Sequence, residues 1–162
     1  MGSGAKKTKK GKKAEGGSVS DAGLAFKHGF YLETTWILSQ LFERKAKSVL
    51  RRVDGDQATT SYSFEQSVKR IKYIHQSGQL PQLATLLDAG SIDGIRNWKN
   101  NRNAMLKDMI STHVSTGRME RLASEGITLY KTWSKSLKSV KKEMDHPGSH
   151  TRALINDPFD EE

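Results

Sequence analysis

The sequence contains no cysteine and only three prolines in 162 residues. Without cysteine there is no structural disulfide, no thiolate nucleophile and no Cys-based zinc site. Apolar runs are a few residues long, far short of the roughly 20 that span a bilayer. No apolar segment follows the basic stretch near the start, so no secretory signal is expected. Aromatic residues amount to 7% and hydrophobic residues to 35%, lean for a globular chain, so part of it is expected to stay unfolded. These shortages point to a soluble cytoplasmic protein without membrane contact, large enough for one compact domain and too short for two.

Positive charge is what the chain has in excess. Lys and Arg total 27 against 18 Asp and Glu, a net +9, which favours nucleic acid or another anionic surface as partner. Lys6, Lys7, Lys9, Lys10, Lys12 and Lys13 crowd one end with Gly, Ser and Ala. A segment of that composition cannot bury enough apolar surface to offset its ordering entropy. It reads either as a sequence-blind attractor of phosphates or as a solubility tail or expression remnant. The two tails carry +5 and −4, so about +8 remains on residues 21–155 and the folded part is basic in its own right.

Between the tails the apolar period is helical. Phe26, Phe30, Ile37, Leu41, Ala46, Val49 and Val53 recur at steps of three, four or seven, predicting a first helix of about 25 to 30 residues that ends near Asp54-Gly55. Thr59 to Tyr62 reads as a polar connector, and Ser63 with Gln66 as a capping box. Phe64, Val68, Ile71 and His75 line the second helix, which Gly78 and Pro81 stop. A short leucine-rich piece, Leu83 to Leu87, closes at Gly90. Ser91 is the expected cap of a helix whose inward residues are Ile92, Ile95, Trp98, Met105, Leu106 and Met109. The last helix shows a heptad-like seam of Met119, Leu122, Gly126, Tyr130, Trp133, Leu137, Val140 and Met144, ended by Pro147-Gly148. Gly126 in that seam permits close approach of another helix. Trp36, Trp98 and Trp133 fall in or beside these stripes and read as core.

The expectation is therefore all-α: a single antiparallel bundle of about four main helices over residues 21–148. A disordered lysine-rich tail (1–20) and a loose acidic tail (149–162) flank it.

No Gly-rich phosphate loop, no paired histidines at i, i+4 and no Gly-x-Ser-x-Gly are present, which leaves no cofactor or metal to expect. The informative stretch is Ile95 to Asp108. By period, Arg102 shares the inward face with Ile95, Trp98 and Met109. An arginine there needs a carboxylate, a carbonyl or a ligand anion, because an unpaired buried charge is very costly. Glu43 is the expected partner in a structural reading; a phosphate is the partner in a functional one.

Arg102-Asn103 resembles the start of the R-N-x-x-x-H signature of HEPN-like helical domains. Leu41-Phe42-Glu43-Arg44 followed by Ser48-Val49-Leu50, and Leu122-Ala123-Ser124-Glu125-Gly126 before the last helix, are also similar to members of that family. The likeness spans roughly residues 24 to 145. It implies a basic helical bundle, commonly a homodimer, serving in bacterial toxin or phage-defence systems. Active members are metal-independent ribonucleases. Carried over, Arg102 is the phosphate holder and Asn103 a polar orienter, but Lys107 stands where the family has its histidine. A lysine near its ordinary pKa of about 10.4 is protonated and a poor base. Binding thus stands ahead of cleavage.

Arg70 to His75 also fits a loose Arg-x-His spacing, met about once by chance in such a chain. His75 is the alternative base or, equally consistent with its stripe, an interior or edge histidine. Lys69, Arg70, Lys72, Arg96 and Lys99 are the expected nucleic-acid contacts. Lys131, Lys135, Lys138, Lys141 and Lys142 form a stripe that is either solvated or an RNA-backbone face. RNA, a second copy of the chain and a protein of the same system are the expected partners. A helical adaptor with no RNA affinity is the reading of a different class.

Overall fold

Local signals set most helix ends. The computed structural model describes residues 17–146. The expected tails fall outside that range apart from residues 17–20, as does Pro147-Gly148. Seven helices are described: α1 (Val19–Lys27), α2 (Tyr31–Asp54), α3 (Asp56–Ser61), α4 (Phe64–Ser77), α5 (Pro81–Leu86), α6 (Ala89–Ser111) and α7 (Thr116–Asp145). No strand occurs among the described residues.

The Ser63–Gln66 capping box forms as read, with Gln66 N–H donating to Ser63 Oγ and Ser63 N–H to Gln66 Oε1. Gly78 closes α4 in the left-handed conformation (φ +67°), where a residue without Cβ has no steric penalty. Pro81 opens α5, where its missing N–H costs nothing.

Three boundaries differ from the sequence reading. The long first helix is two, α1 and α2. Gly29 at φ +80° turns the chain, and the Phe30 N–H closes α1 onto Ala25 O at 2.9 Å. Both pieces face one core, so the apolar period runs through the break without showing it. The Thr59–Tyr62 connector is mostly α3, whose Thr and Ser hydroxyls bond back to carbonyls three and four residues earlier. The cap of α6 is Asp88, which accepts from Ser91 N–H at 2.9 Å; Ser91 and Gly90 lie inside the helix.

Phe42 on α2 is the centre of the core. Its ring meets Phe64 of α4 (6.1 Å between centroids), Trp98 of α6 (5.2 Å) and Tyr130 of α7 (5.3 Å). Offset and edge-on aromatic contacts of this kind add to simple burial. Trp98 and Trp133 are fully buried, as expected. Gly126 does what its place in the seam suggested: the Trp98 indole lies where its Cβ would be, 2.7 Å away. The indole N–H donates to Leu122 O at 2.8 Å.

The contacts also give the helix directions. Glu65–Lys99 and Lys72–Asp93 run α6 against α4, and Trp98–Leu122 with Asp108–Arg118 run it against α7. By contrast Phe42–Tyr130, Ser48–Lys141 and Arg52–Asp145 make α2 and α7 parallel. Helix α6 thus runs antiparallel to α4 and α7, but the expected antiparallel order fails for α2, which runs parallel to α4 (Phe42–Phe64, Asp54–Arg70) as well as to α7. The reason is α3, which carries the chain part-way back so that α4 starts beside the middle of α2.

Candidate nucleic-acid interface

Arg102 sits in the second half of α6, where four-residue spacing from Trp98 turns it toward α2. It does not reach Glu43, which pairs with Lys47 at 2.8 Å. Its guanidinium lies over the Trp36 ring, 5.5 Å from the centroid. Nη1 donates to Asn103 Oδ1 at 3.3 Å. Nε is buried and has no hydrogen-bond partner, and no ion pair holds the group among the described residues. Burial lowers its pKa from the ordinary arginine value, yet arginine stays protonated in proteins. The result is a half-buried cation with unused donors.

Trp36 is the residue the sequence reading misplaced. It is 59% exposed, because α2 turns that face past the edge of the bundle. A stripe of apolar residues marks a side of a helix but not how far neighbours cover it. Its position next to a guanidinium could have been found only by pairing α2 with α6. Met109, also expected inside, and Phe30 of the first apolar stripe are exposed at the same end, as is Ile110, 90% exposed.

The remaining HEPN-type positions do not converge on Arg102. Asn103 is exposed beside it. Lys107 is exposed and, five residues on, points about 140° round the helix from Arg102. Asp108, its neighbour, pairs with Arg118 at 2.7 Å. His75 is at the other end of α6: its Nε2 is 2.8 Å from Leu87 O, just before the helix begins. Arg102 lies thirteen residues past Ala89, the first residue of α6, so about 20 Å of helix separates the two sites. His75 is the hydrogen-bonded edge histidine of the plainer reading. It cannot serve as base to Arg102 within one chain.

Most expected nucleic-acid contacts are tied up internally. Arg70 forks onto Asp54 with three hydrogen bonds of 2.6 to 3.2 Å. Lys72 pairs with Asp93 at 2.6 Å. Glu65 holds both Lys69, at 3.5 Å, and Lys99, and Lys99 also lies over the Phe64 ring. Arg96 is exposed, with no ion pair among the described residues. It borders a hollow of only about 20 Å³ with Lys69, Lys72 and Lys99, too small for a ligand. This cluster braces α2, α4 and α6 against one another.

Among the described residues no group of His, Asp and Glu is arranged to hold a metal ion. No helix among the described residues is long and apolar enough to cross a membrane. Comparison of the chain with protein-family models, with curated proteins and with solved structures finds no match. The likeness to HEPN-like domains therefore rests on the quoted residues alone.

Proposed function

We propose that the chain is a HEPN-like RNA-binding protein that holds single-stranded RNA at the Arg102–Trp36 face without cutting it. The observation that carries this is Arg102 itself: a half-buried guanidinium with, among the described residues, no carboxylate and no partner for Nε, and with an exposed indole beneath it. A phosphate would take the unused donors. A base would stack on the indole, as in single-strand binding sites where aromatic and cationic groups alternate. Neither expected base reaches that face, since Lys107 points away and His75 is at the far end of α6, which supports binding over cleavage. The resemblance adds a second copy of the chain and a bacterial or phage conflict setting. Exposed Phe30, Met109 and Ile110 near the same end favour a second reading, in which this end docks another protomer or a helical partner.

The test is anisotropy of a labelled single-stranded RNA titrated with the full chain in EDTA, followed by a gel of the recovered RNA. Binding that weakens with salt is expected, with intact RNA. Trp36→Ala and Arg102→Ala should each weaken it roughly tenfold, the scale of one base stack or one charged contact. RNA shortened by the parent and spared by Arg102→Ala would establish a ribonuclease instead. An unbound RNA together with a sedimenting dimer would leave the docking reading.

A further inference from the structure

The lysine stripe of α7 meets α2 on the side away from Trp36. Lys45 follows Trp36 by nine residues, half a turn away after whole turns are removed (about 180°). There Lys45, Ser48 and Val49 of α2 and Leu137, Lys138, Lys141 and Lys142 of α7 line a cleft of about 380 Å³, within the range of small-ligand sites. One carboxylate, Asp145, also lines it, but Arg52 holds both its oxygens at 2.8 and 3.0 Å. His146 closes the end. Lys141 donates to Ser48 Oγ at 3.5 Å. None of the four lysines makes an ion pair among the described residues, whereas those of the α4–α6 cluster do.

Helix-end electrostatics account for part of this. Cations in the last turn of α7 suit the negative end of its dipole, which explains Lys142. It does not explain Lys45, which comes from the middle of another helix and is partly buried. Burial and the charges of Lys141 and Lys138 all depress the Lys45 pKa. The free protein thus holds like charges together at a cost, the pattern of a site shaped for a ligand rather than for stability.

We propose that the cleft between α2 and α7 binds a compact polyphosphate, gripped by Lys45, Lys138, Lys141 and Lys142, with the Ser48 hydroxyl as a further donor. Clustered phosphates match four point charges on flexible stems, where a single planar carboxylate would suit an arginine fork. The chemistry is that of linked phosphates, whether free or as the chain of a nucleotide. The site is independent of the RNA reading, because it lies on the other side of α2.

The experiment is calorimetric titration of the full chain with tripolyphosphate, orthophosphate and adenosine triphosphate in a non-phosphate buffer. Saturable one-to-one binding of tripolyphosphate, and far weaker binding of orthophosphate, is expected. Lys45→Met and Lys138→Met should each weaken it tenfold or more. Lys131→Met, which removes the same charge from α7 outside the cleft, should change it less than twofold. Equal affinity for the nucleotide assigns the free polyphosphate as ligand; tighter binding of the nucleotide assigns the nucleotide. Without ligand, Lys45→Met should melt higher than the parent, by about 3 °C for a gain near 1 kcal/mol. A merely structural lysine would give a lower melt. No saturation by tripolyphosphate, or equal losses in Lys131→Met and Lys138→Met, would overturn the proposal. So would Lys45→Met weakening RNA binding with no tripolyphosphate binding at all, which would make the cleft a path for the RNA backbone. Arg102→Ala should leave tripolyphosphate binding unchanged, separating this site from the other.

Discussion

At Gly126 a single missing methyl group decides how α6 and α7 meet. A Cβ there would lie 2.7 Å from Trp98 Nε1 and 2.8 Å from Cζ2. The indole cannot retreat easily, since it is fully buried, touches Phe42 and donates to Leu122 O. Overpacking of this kind costs about 1–3 kcal/mol. Gly23 in α1 is the natural control: nothing lies within 4 Å of its would-be Cβ, and its φ is not in the left-handed region. Gly126→Ala should therefore lower the urea midpoint by the equivalent of about 2 kcal/mol. Gly23→Ala should raise it by about 0.5–1 kcal/mol through loss of unfolded-chain freedom. Equal effects of the two changes would show that helix propensity, not the Trp98 contact, governs both.

Between elements, the Asp54–Arg70 fork joins the end of α2 to the middle of α4, with Tyr62 O–H adding a bond to Asp54 at 3.2 Å. Asp54 is the more buried partner, 9% exposed against 28% for Arg70. The Arg70 hydrogen bonds, foremost, hold the Asp54 carboxyl below its ordinary range. Since the folded value is the lower one, the stabilisation is complete above the ordinary carboxylate pKa of about 4 and is lost as pH falls through the depressed value. Asp54→Asn should cost about 1–2 kcal/mol at neutral pH, a figure discounted for the open side of the pair. The gap from the parent in urea midpoints should then close on acidification. A gap that stays constant from neutral to strongly acid pH would mean that packing, not charge, makes the link. The capping box that starts α4 was legible in the sequence because every group in it lies within four residues. This fork was not, and Arg70 was read as an RNA contact, because nothing local shows that α3 folds Asp54 back against it. The same limit explains Trp36 and Lys45. Their stripes were visible, but whether a neighbour covers a stripe depends on α2 running parallel to α7 and against α6.

For the molecule as a whole, the excess positive charge seen in the composition is unevenly placed. Carboxylates neutralise most of the basic residues between α4 and α6, while the lysines at the α2–α7 cleft face one another. The isolated fold should therefore be limited by repulsion on one side. Lys45 has a folded pKa below its ordinary value, through burial first and Lys141 and Lys138 next. The unfolded chain then binds more protons than the folded one between that depressed value and the usual lysine range, so stability rises with pH across the window. Tyr62 works the other way: burial, with Asp54 beside it, raises its pKa, and it takes stability away only above about pH 10. Urea unfolding from pH 7 upward should show the parent gaining on Lys45→Met, the two converging as pH passes through the usual lysine range near about 10.4, while Tyr62, present in both, cancels from the difference. Added salt at pH 7 should narrow the same difference, because screening weakens repulsion between exposed charges. Parallel pH curves, unaffected by salt, would place the lysines in independent solvation and remove the electrostatic frustration that makes the cleft receptive to an anion.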